Sequence, residues 1–589
     1  MSKEKISGKV FDIALFKRLL LYIKNYRFAF IIATVSVILL AAFAAIRPTL
    51  LIKIVDDYIS TKNSKQVLNF SLIMFGVLIL EVIFQFLFIY FTNWLGQHII
   101  KDIRFQLFKH ISYFKMNYFN NTAIGKIVTR VVSDIETISS IFGQGLFMII
   151  SDLLKMLIVI LVMLFINWKL ALIVFAALPL LIYATKVFKD AMKGAFKDVR
   201  NEVSNLNSFV QERLTGMKIV QIFSREKIEY QEFKKINSKH KKAWIKTVWY
   251  NSIFFPIAEV VPSIALGFVV WYGGSDMIAS GNTTAGEIIG FIMMNQMLFR
   301  PLRQIADKFN TLQMGMVAAD RVFKIMDEEI KESENSLNKT NKRLNGNINF
   351  NDVHFSYIKG EEVLKGISFN VNKGESIALV GATGAGKSTI INLLNRFYTI
   401  DSGIITLDGK NINEFNLHHL RKQIAVVLQD VFLFSDTIFN NITLNNKNIG
   451  LEEVIKAAKQ IGIHDFIMSL PNNYNYNVKE RGVMLSTGQR QLIAFLRAFV
   501  NKPSILILDE ATSSIDSQSE ILIKKATELI TKNRTSIIIA HRLATIKKAD
   551  RIIVMDNGNI VEQGNHQELL DKKGFYSNLH QIQFDSKDI

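Results

Sequence analysis

Residues 381–389 read GATGAGKST: Gly381, Ala382, Thr383, Gly384, Ala385, Gly386, Lys387, Ser388 and Thr389. The first eight satisfy G-x-x-x-x-G-K-[ST], the spacing of a loop that wraps phosphates. Its glycines let successive backbone N–H groups turn inward, and the helix that follows points its positive end at the anion. Lys387 would reach the outer phosphates, and the Ser388 hydroxyl would ligate Mg²⁺. SIALV before the loop reads as a strand and IINLLNRF after it as a helix, so the motif has the context its chemistry requires.

Other residues acquire meaning beside that loop. ILILDE (505–510) reads as a buried strand ending in two carboxylates. Asp509 would enter the magnesium shell, and Glu510 would poise a water for in-line attack on the γ-phosphate. Alone, such a pair is often a solvated strand end; a phosphate loop in the same domain gives it a reaction to serve. Gln429, closing AVVLQ, and His541, closing SIIIAH, stand at strand ends, where open α/β sheets bind ligands. Tyr357 in VHFSY offers a ring on which an adenine would stack. LSTGQRQ (485–491) is harder to place, because it has no nucleophile–base pair, no metal-ligand spacing and no carboxylate. Ser486 suits a helix N-cap, but a cap does not account for the GQRQ that follows.

These motifs need a scaffold. From Gly346 onward short β-rich runs alternate with amphipathic helices, the pattern of an α/β domain. Residues 326–345, DEEIKESENSLNKTNKRLNG after Met326, are polar, lack aromatic residues and read as a linker. The preceding 325 residues are of another kind. Six apolar stretches, near 28–52, 68–95, 141–166, 168–189, 249–278 and 284–304, are long enough to cross about 30 Å of hydrocarbon. The short connections 56–65, 167–169 and 280–287 hold few basic residues, whereas 97–130 holds Lys101, Arg104, Lys109, Lys115, Lys126 and Arg130. The positive-inside rule then sets both chain ends and the α/β domain in the cytoplasm, with the bundle in the cytoplasmic (inner) membrane. The intervening cytoplasmic stretches keep helical periodicity, so the spans are expected to continue as long helical extensions that turn near 116–122 and 215–223.

Composition agrees. The 589 residues are 49% hydrophobic and 21% charged, with a net charge of +19. Beside long apolar runs, that charge points to the cytoplasmic face of a bilayer rather than to nucleic acid. There is no cysteine, which excludes a disulfide framework, a cysteine metal site and a cysteine-protease domain. The first 28 residues are too charged for a signal peptide and read as a basic amphipathic segment at the membrane surface.

Taken in order, GATGAGKST, Gln429, LSTGQRQ, ILILDE, the following SSID and IAHR resemble the nucleotide-binding domain of an ATP-binding cassette transporter. With six spans before it and ERG (480–482) just ahead of LSTGQRQ, nearly the whole chain resembles a half-transporter of the type IV exporter group. The resemblance implies the following roles. Tyr357 stacks adenine, Gln429 is the Q-loop residue that joins Ser388 and Asp509 around Mg²⁺, Asp516 is the D-loop residue and His541 contacts the γ-phosphate. The turns near 116–122 and 215–223 correspond to coupling helices. LSTGQRQ corresponds to the LSGGQ signature, in which Ser486, Gly488 and Gln489 of one chain close over the ATP held by another. Thr487 departs from that pattern, standing where the first glycine is usual. The expected activity is ATP-driven export or flipping of an amphipathic drug or lipid by a homodimer, or by a heterodimer with a related chain. An ATP-gated channel or sensor is the competing class, and a soluble chromosome-associated ATPase does not fit six spans.

Overall fold

The computed structural model describes residues 12–328, 343–509, 517–540 and 543–583. The chain divides into two compact units, Met1–Ser112 with Ala123–Glu329, and Tyr113–Thr122 with Ile330–Ile589. Most of the expected linker, residues 329–342, lies outside the described residues.

The first unit is helical. Its long runs are α1 (Ile13–Ile59), α2 (Ser64–Ser112), α4 (Ile124–Ile166), α5 (Trp168–Thr215), α7 (Glu226–Ala279) and α8 (Ala285–Met326). The tips carry two short helices, α3 (Met116–Asn121) and α6 (Met217–Ile222), the first of which belongs to the second unit. Of the described helices, α1, α2, α4, α5 and α7 are long and apolar enough to cross a membrane. The sixth, α8, interrupts its apolar run with Asn295, Gln296, Arg300 and Arg303. It packs against α1, α4 and α7, and Phe291, Met294, Asn295, Leu298 and Phe299 are buried. A helix sheltered by neighbours need not be apolar all round.

At 48 residues α5 is about 70 Å long, more than twice the hydrocarbon thickness. The expected helical extensions are therefore present. Asn167 starts α5 by accepting from the Leu170 N–H at 3.2 Å. α5 runs alongside α7, with Phe188 stacked on Phe254 at 4.0 Å and Lys246 paired with Asp198 at 3.0 Å. At the N-terminal end, α1 buries Leu19 and Ile23, and Arg18 lies 4.2 Å from the centre of the Phe323 ring while bonding Asp327 at 2.7 Å.

The second unit is α/β. Strands β1 (Ile348–Ile358), β2 (Glu361–Val371), β4 (Ser402–Leu407) and β5 (Lys410–Asn411) form an antiparallel sheet in the order β2-β1-β4-β5. The other sheet runs β10-β9-β3-β8-β7-β6, from β3 (Ser376–Gly381), β6 (Ile424–Val427), β7 (Ile505–Asp509), β8 (Thr535–Ile539), β9 (Arg551–Asp556) and β10 (Asn559–Gly564). All but β10 are parallel. Parallel strands covered on both faces read as unbroken apolar runs, which is why SIALV, ILIL and SIII lack alternation. A helical lobe built from Ile438–Thr443, Leu451–Ile461 and His464–Ser469 packs Ile442, Val454, Ile461 and Ile467 into one core with α10 (Thr487–Val500).

Candidate nucleotide site

The central strand β3 lies between β9 and β8, buried except at its first residue, and delivers the chain into the glycine-rich loop. The loop is drawn tightly under its neighbours. A Cβ on Gly381 would stand 2.2 Å from the Met555 carbonyl oxygen of β9. Gly386 takes φ +100, and a Cβ there would stand 2.7 Å from Leu364 Cδ2. Both positions require glycine for contact, and Gly386 also for its backbone. Ala382, Thr383 and Gly384 are exposed, and Ala385 and Gly386 are buried.

Gly386 caps α9 (Lys387–Leu394). Lys387 is 7% exposed and folds back over the loop, donating to Gly381 O at 2.8 Å and Ala382 O at 2.9 Å. Burial holds its ammonium below the usual lysine range, opposed by the charge of Asp509. A cation so placed, largely desolvated, attracts an anion more strongly than it would in water. Ser388 is exposed in the first turn of α9. Thr389 is buried and accepts from the Tyr357 hydroxyl at 3.2 Å, and Asn392 Nδ2 donates to that same hydroxyl at 3.1 Å. The Tyr357 ring is thus tied to the helix of the phosphate loop while 42% of the residue stays exposed.

Asp509 ends β7 in register with Ile539 of β8. The strand preceding Gln429 is shorter than its sequence suggests: β6 closes at Val427, and Gln429 is exposed in the bend beyond it. Loss of cover explains the difference, since Leu428, the first residue beyond the strand, is already 54% exposed despite being apolar. Because β3, β8, β7 and β6 are parallel, the phosphate loop, Asp509 and Gln429 share one edge of the sheet. Glu510, Asp516 and His541 lie outside the described residues, although the strands that lead to Glu510 and His541 are described.

LSTGQRQ opens α10. Ser486 is its N-cap, with Oγ accepting from Gln489 N–H at 3.2 Å and Gln489 Oε1 accepting from Ser486 N–H at 2.9 Å. This reciprocal box satisfies two backbone donors at once. Arg490 donates to Thr487 Oγ1 at 3.2 Å. Ser486 and Thr487 are exposed, and Gly488 is buried. No group of three or more His, Asp or Glu side chains among the described residues is arranged to hold a metal by itself. A hydroxyl, Ser388, and a strand-end carboxylate, Asp509, are instead the sparse donor set that suits Mg²⁺ shared with phosphate oxygens.

Two family models match the chain: the ABC transporter transmembrane region matches residues 30–302, and the ABC transporter model matches residues 364–513. The chain is 36% identical over 587 residues to the uncharacterised ABC transporter ATP-binding protein YknV of Bacillus subtilis (strain 168), covering 99% of this chain and 97% of that protein. This chain belongs to the ABC transporters. The same Bacillus strain has YgaD, named provisionally for multidrug export, 35% identical over 96% of this chain and 99% of its own. The ATP-dependent lipid A-core flippase of Idiomarina loihiensis is 36% identical over 97% of this chain and 98% of its own.

The transporter is a half-transporter of the type IV exporter group, a multi-pass membrane protein whose helical bundle is followed by an ATP-binding α/β domain. It couples ATP hydrolysis to export. Sequence reasoning named Thr389 as part of the phosphate loop but missed its contact to Tyr357, and missed Asn392 altogether. The i,i+3 spacing of Thr389 and Asn392, which sets both on one face of α9, was the available signal.

Proposed function

We propose that two such chains, identical or related, bind two ATP molecules between their nucleotide-binding domains and export an amphipathic drug or lipid from the cytoplasmic membrane by alternating access. The residues divide the work as follows. The backbone of 381–386 and Lys387 cradle the phosphates, and Tyr357 stacks the base. Ser388, Gln429 and Asp509 hold Mg²⁺, which neutralises phosphate charge. Glu510 takes a proton from the attacking water, while His541 and Gln429 orient the γ-phosphate side of the site. The partner supplies Ser486, Gly488 and Gln489. Both chain ends lie in the cytoplasm, in keeping with the lysine and arginine bias of the long connections.

The observation that carries the shared site is the presentation of LSTGQRQ. Ser486 and Thr487 are exposed at the N-terminus of a 14-residue helix, an arrangement that receives an anion brought from outside the chain. The tip around α6 adds support for a partner. Leu214, Ile219, Ile222 and Phe223 are each more than half exposed, although the extensions carry them beyond the hydrocarbon. Apolar surface of that kind marks an interface.

A mixed dimer tests the sharing. One copy carries Lys387→Ala and the other Gly488→Asp, whose carboxylate repels the γ-phosphate. Shared sites place both lesions in one site and leave the other wild type, so purified mixed dimers trap nucleotide with vanadate while dimers of either variant alone trap little. If mixed dimers fail to trap where wild-type dimers succeed, each chain builds its site alone.

A further inference from the structure

The base-stacking tyrosine is not isolated. Tyr398 stands edge-on to Tyr357, with ring centroids 4.9 Å apart and planes at 89°, and also packs against buried Phe355 at 5.7 Å. Its hydroxyl accepts a hydrogen bond from Asn120 Nδ2, on the short helix α3. The segment Tyr113–Thr122 is compact with the nucleotide-binding unit, although its neighbours in sequence are the long helices α2 and α4. A continuous series of contacts therefore runs from Thr389 in the phosphate-loop helix to the Tyr357 hydroxyl, across two perpendicular rings to Tyr398, and on to Asn120.

Tyr398 is held firmly where it stands. The turn before it places Arg396 at φ +50, and the Arg396 guanidinium donates to Phe415 O at 2.8 Å and Ile412 O at 3.3 Å. Arg421 donates to Asn395 O and Arg396 O, each at 3.2 Å, and lies 5.0 Å from the centre of the Phe397 ring. A half-buried tyrosine on so braced a turn moves with the phosphate-loop helix instead of drifting independently. Its neighbour Tyr357 sits near the end of β1, 42% exposed, with its hydroxyl held by Thr389 and Asn392.

We propose that Tyr398 is a positioning residue that reports the base-occupied state of Tyr357 to the first cytoplasmic tip through Asn120. Edge-to-face rings prefer particular geometries, so a base that displaces the Tyr357 ring displaces Tyr398 with it, and the Asn120 hydrogen bond carries that displacement into α3. The inference rests on Tyr357 being the base-stacking residue proposed above. It adds a dependence of the tip on the nucleobase as well as on the phosphates.

The absence of cysteine makes the test direct, because Ser112→Cys at the end of α2 gives one site for an environment-sensitive fluorophore on the full-length transporter in nanodiscs. ATP is the probe, and the readouts are the ATP-induced change of the label and the KM for ATP in basal hydrolysis. Tyr398→Phe keeps the ring and loses the acceptor; Asn120→Ala loses the donor. Each is expected to leave KM within about twofold of the parent and to cut the label response by half or more, and the double variant to lose no more than either single one, since all three break the same bond. Tyr357→Ala is the control for the underlying reading, expected to raise KM roughly five- to a hundredfold from lost stacking. A full label response in either single variant overturns the relay. So does a rise in KM for Tyr398→Phe as large as that for Tyr357→Ala, which would make Tyr398 a simple prop. An unchanged KM in Tyr357→Ala removes the base-stacking assignment itself, and the relay with it.

Discussion

Glycines in a phosphate loop differ in what they do, and the geometry sorts them. Gly386 combines φ +100 with a neighbour 2.7 Å from any added Cβ, whereas Gly384 takes φ +89 with nothing within 4 Å. Gly386→Ala must displace Leu364 as well as strain the backbone, so the loop opens and the fold of binding lost is expected to exceed roughly tenfold. Gly384→Ala meets only the left-handed penalty, about 1–2 kcal/mol, and weakens binding less. Titration with a fluorescent ATP analogue separates the two, and equal losses would show that the Leu364 contact is irrelevant. Lys387 belongs to the same scale. Its bonds to the Gly381 and Ala382 carbonyls preserve the loop's curvature and keep the ammonium beside the site. The G-x-x-x-x-G-K-[ST] spacing made these residues legible in advance. It did not announce the Asn392 and Thr389 contacts to Tyr357, because those depend on how β1 meets α9.

Helices are the next scale, and the far end of the bundle from the α3 and α6 tips shows how they are tied. The C-terminal turn of α1, Ile54–Ile59, is π-helical and turns Asp56 toward the start of α8. Asp56 accepts from Thr284 Oγ1 at 2.5 Å and from Gly286 N–H at 2.8 Å, so an anion satisfies an unpaired donor where the helix dipole is positive. Thr284 in turn caps α8 through Glu287 N–H at 3.1 Å, and Asn167 reaches Glu287 at 3.0 Å. Asp56→Ala removes two charge-assisted bonds and is expected to destabilise the protein by about 1.5–3 kcal/mol. Asp56→Asn, which keeps the shape and one acceptor, is expected to cost less. Thermal unfolding in nanodiscs reads the difference, and unchanged melting of Asp56→Ala would mean the clasp is idle. Nothing in DDYISTKNSK singles out the first aspartate from the second. Only the π-turn aims Asp56 inward and leaves Asp57 exposed.

At the scale of the whole molecule, three pairs of ionisable side chains join different helices of the bundle. Arg47 of α1 faces Glu81 of α2 at 3.1 Å, Asp152 of α4 pairs with Lys308 of α8, and Glu259 of α7 pairs with Arg303 of α8. The sequence places Asp152 and Lys155 on one face of α4, three residues apart, yet the structure gives Asp152 its partner on another helix. Charges are costly in this setting and persist where they are matched or face a water-filled path. The Glu259 side chain is 70% exposed even while paired, unlike Asp152 at 16%, so Glu259 is the one we propose to meet a substrate. Glu259→Gln is expected to change which amphipathic compounds stimulate ATP hydrolysis in nanodiscs while leaving basal hydrolysis within about twofold. An unchanged stimulation profile would assign Glu259 to helix packing alone. Exchanging the pair, Glu259→Arg with Arg303→Glu, is expected to restore packing but not the original profile.

Local chemistry needs contiguous residues, and such chemistry could be read from the chain directly. The phosphate loop, the strand that ends at Asp509, the apolar spans, their helical extensions and the short turns at 116–122 and 215–223 all declare themselves by spacing or periodicity, because each is satisfied by neighbours along the chain. What tertiary structure alone decided were the pairings between segments far apart in sequence: the order β3-β8-β7-β6 that brings Asp509 and Gln429 to the edge of the phosphate loop, the Asp56 clasp on α8, the partners of Asp152 and Glu259, and the Asn120–Tyr398–Tyr357 series. Those pairings follow from strand order and helix rotation. A shift of one residue in either would leave every motif intact and change each of these contacts.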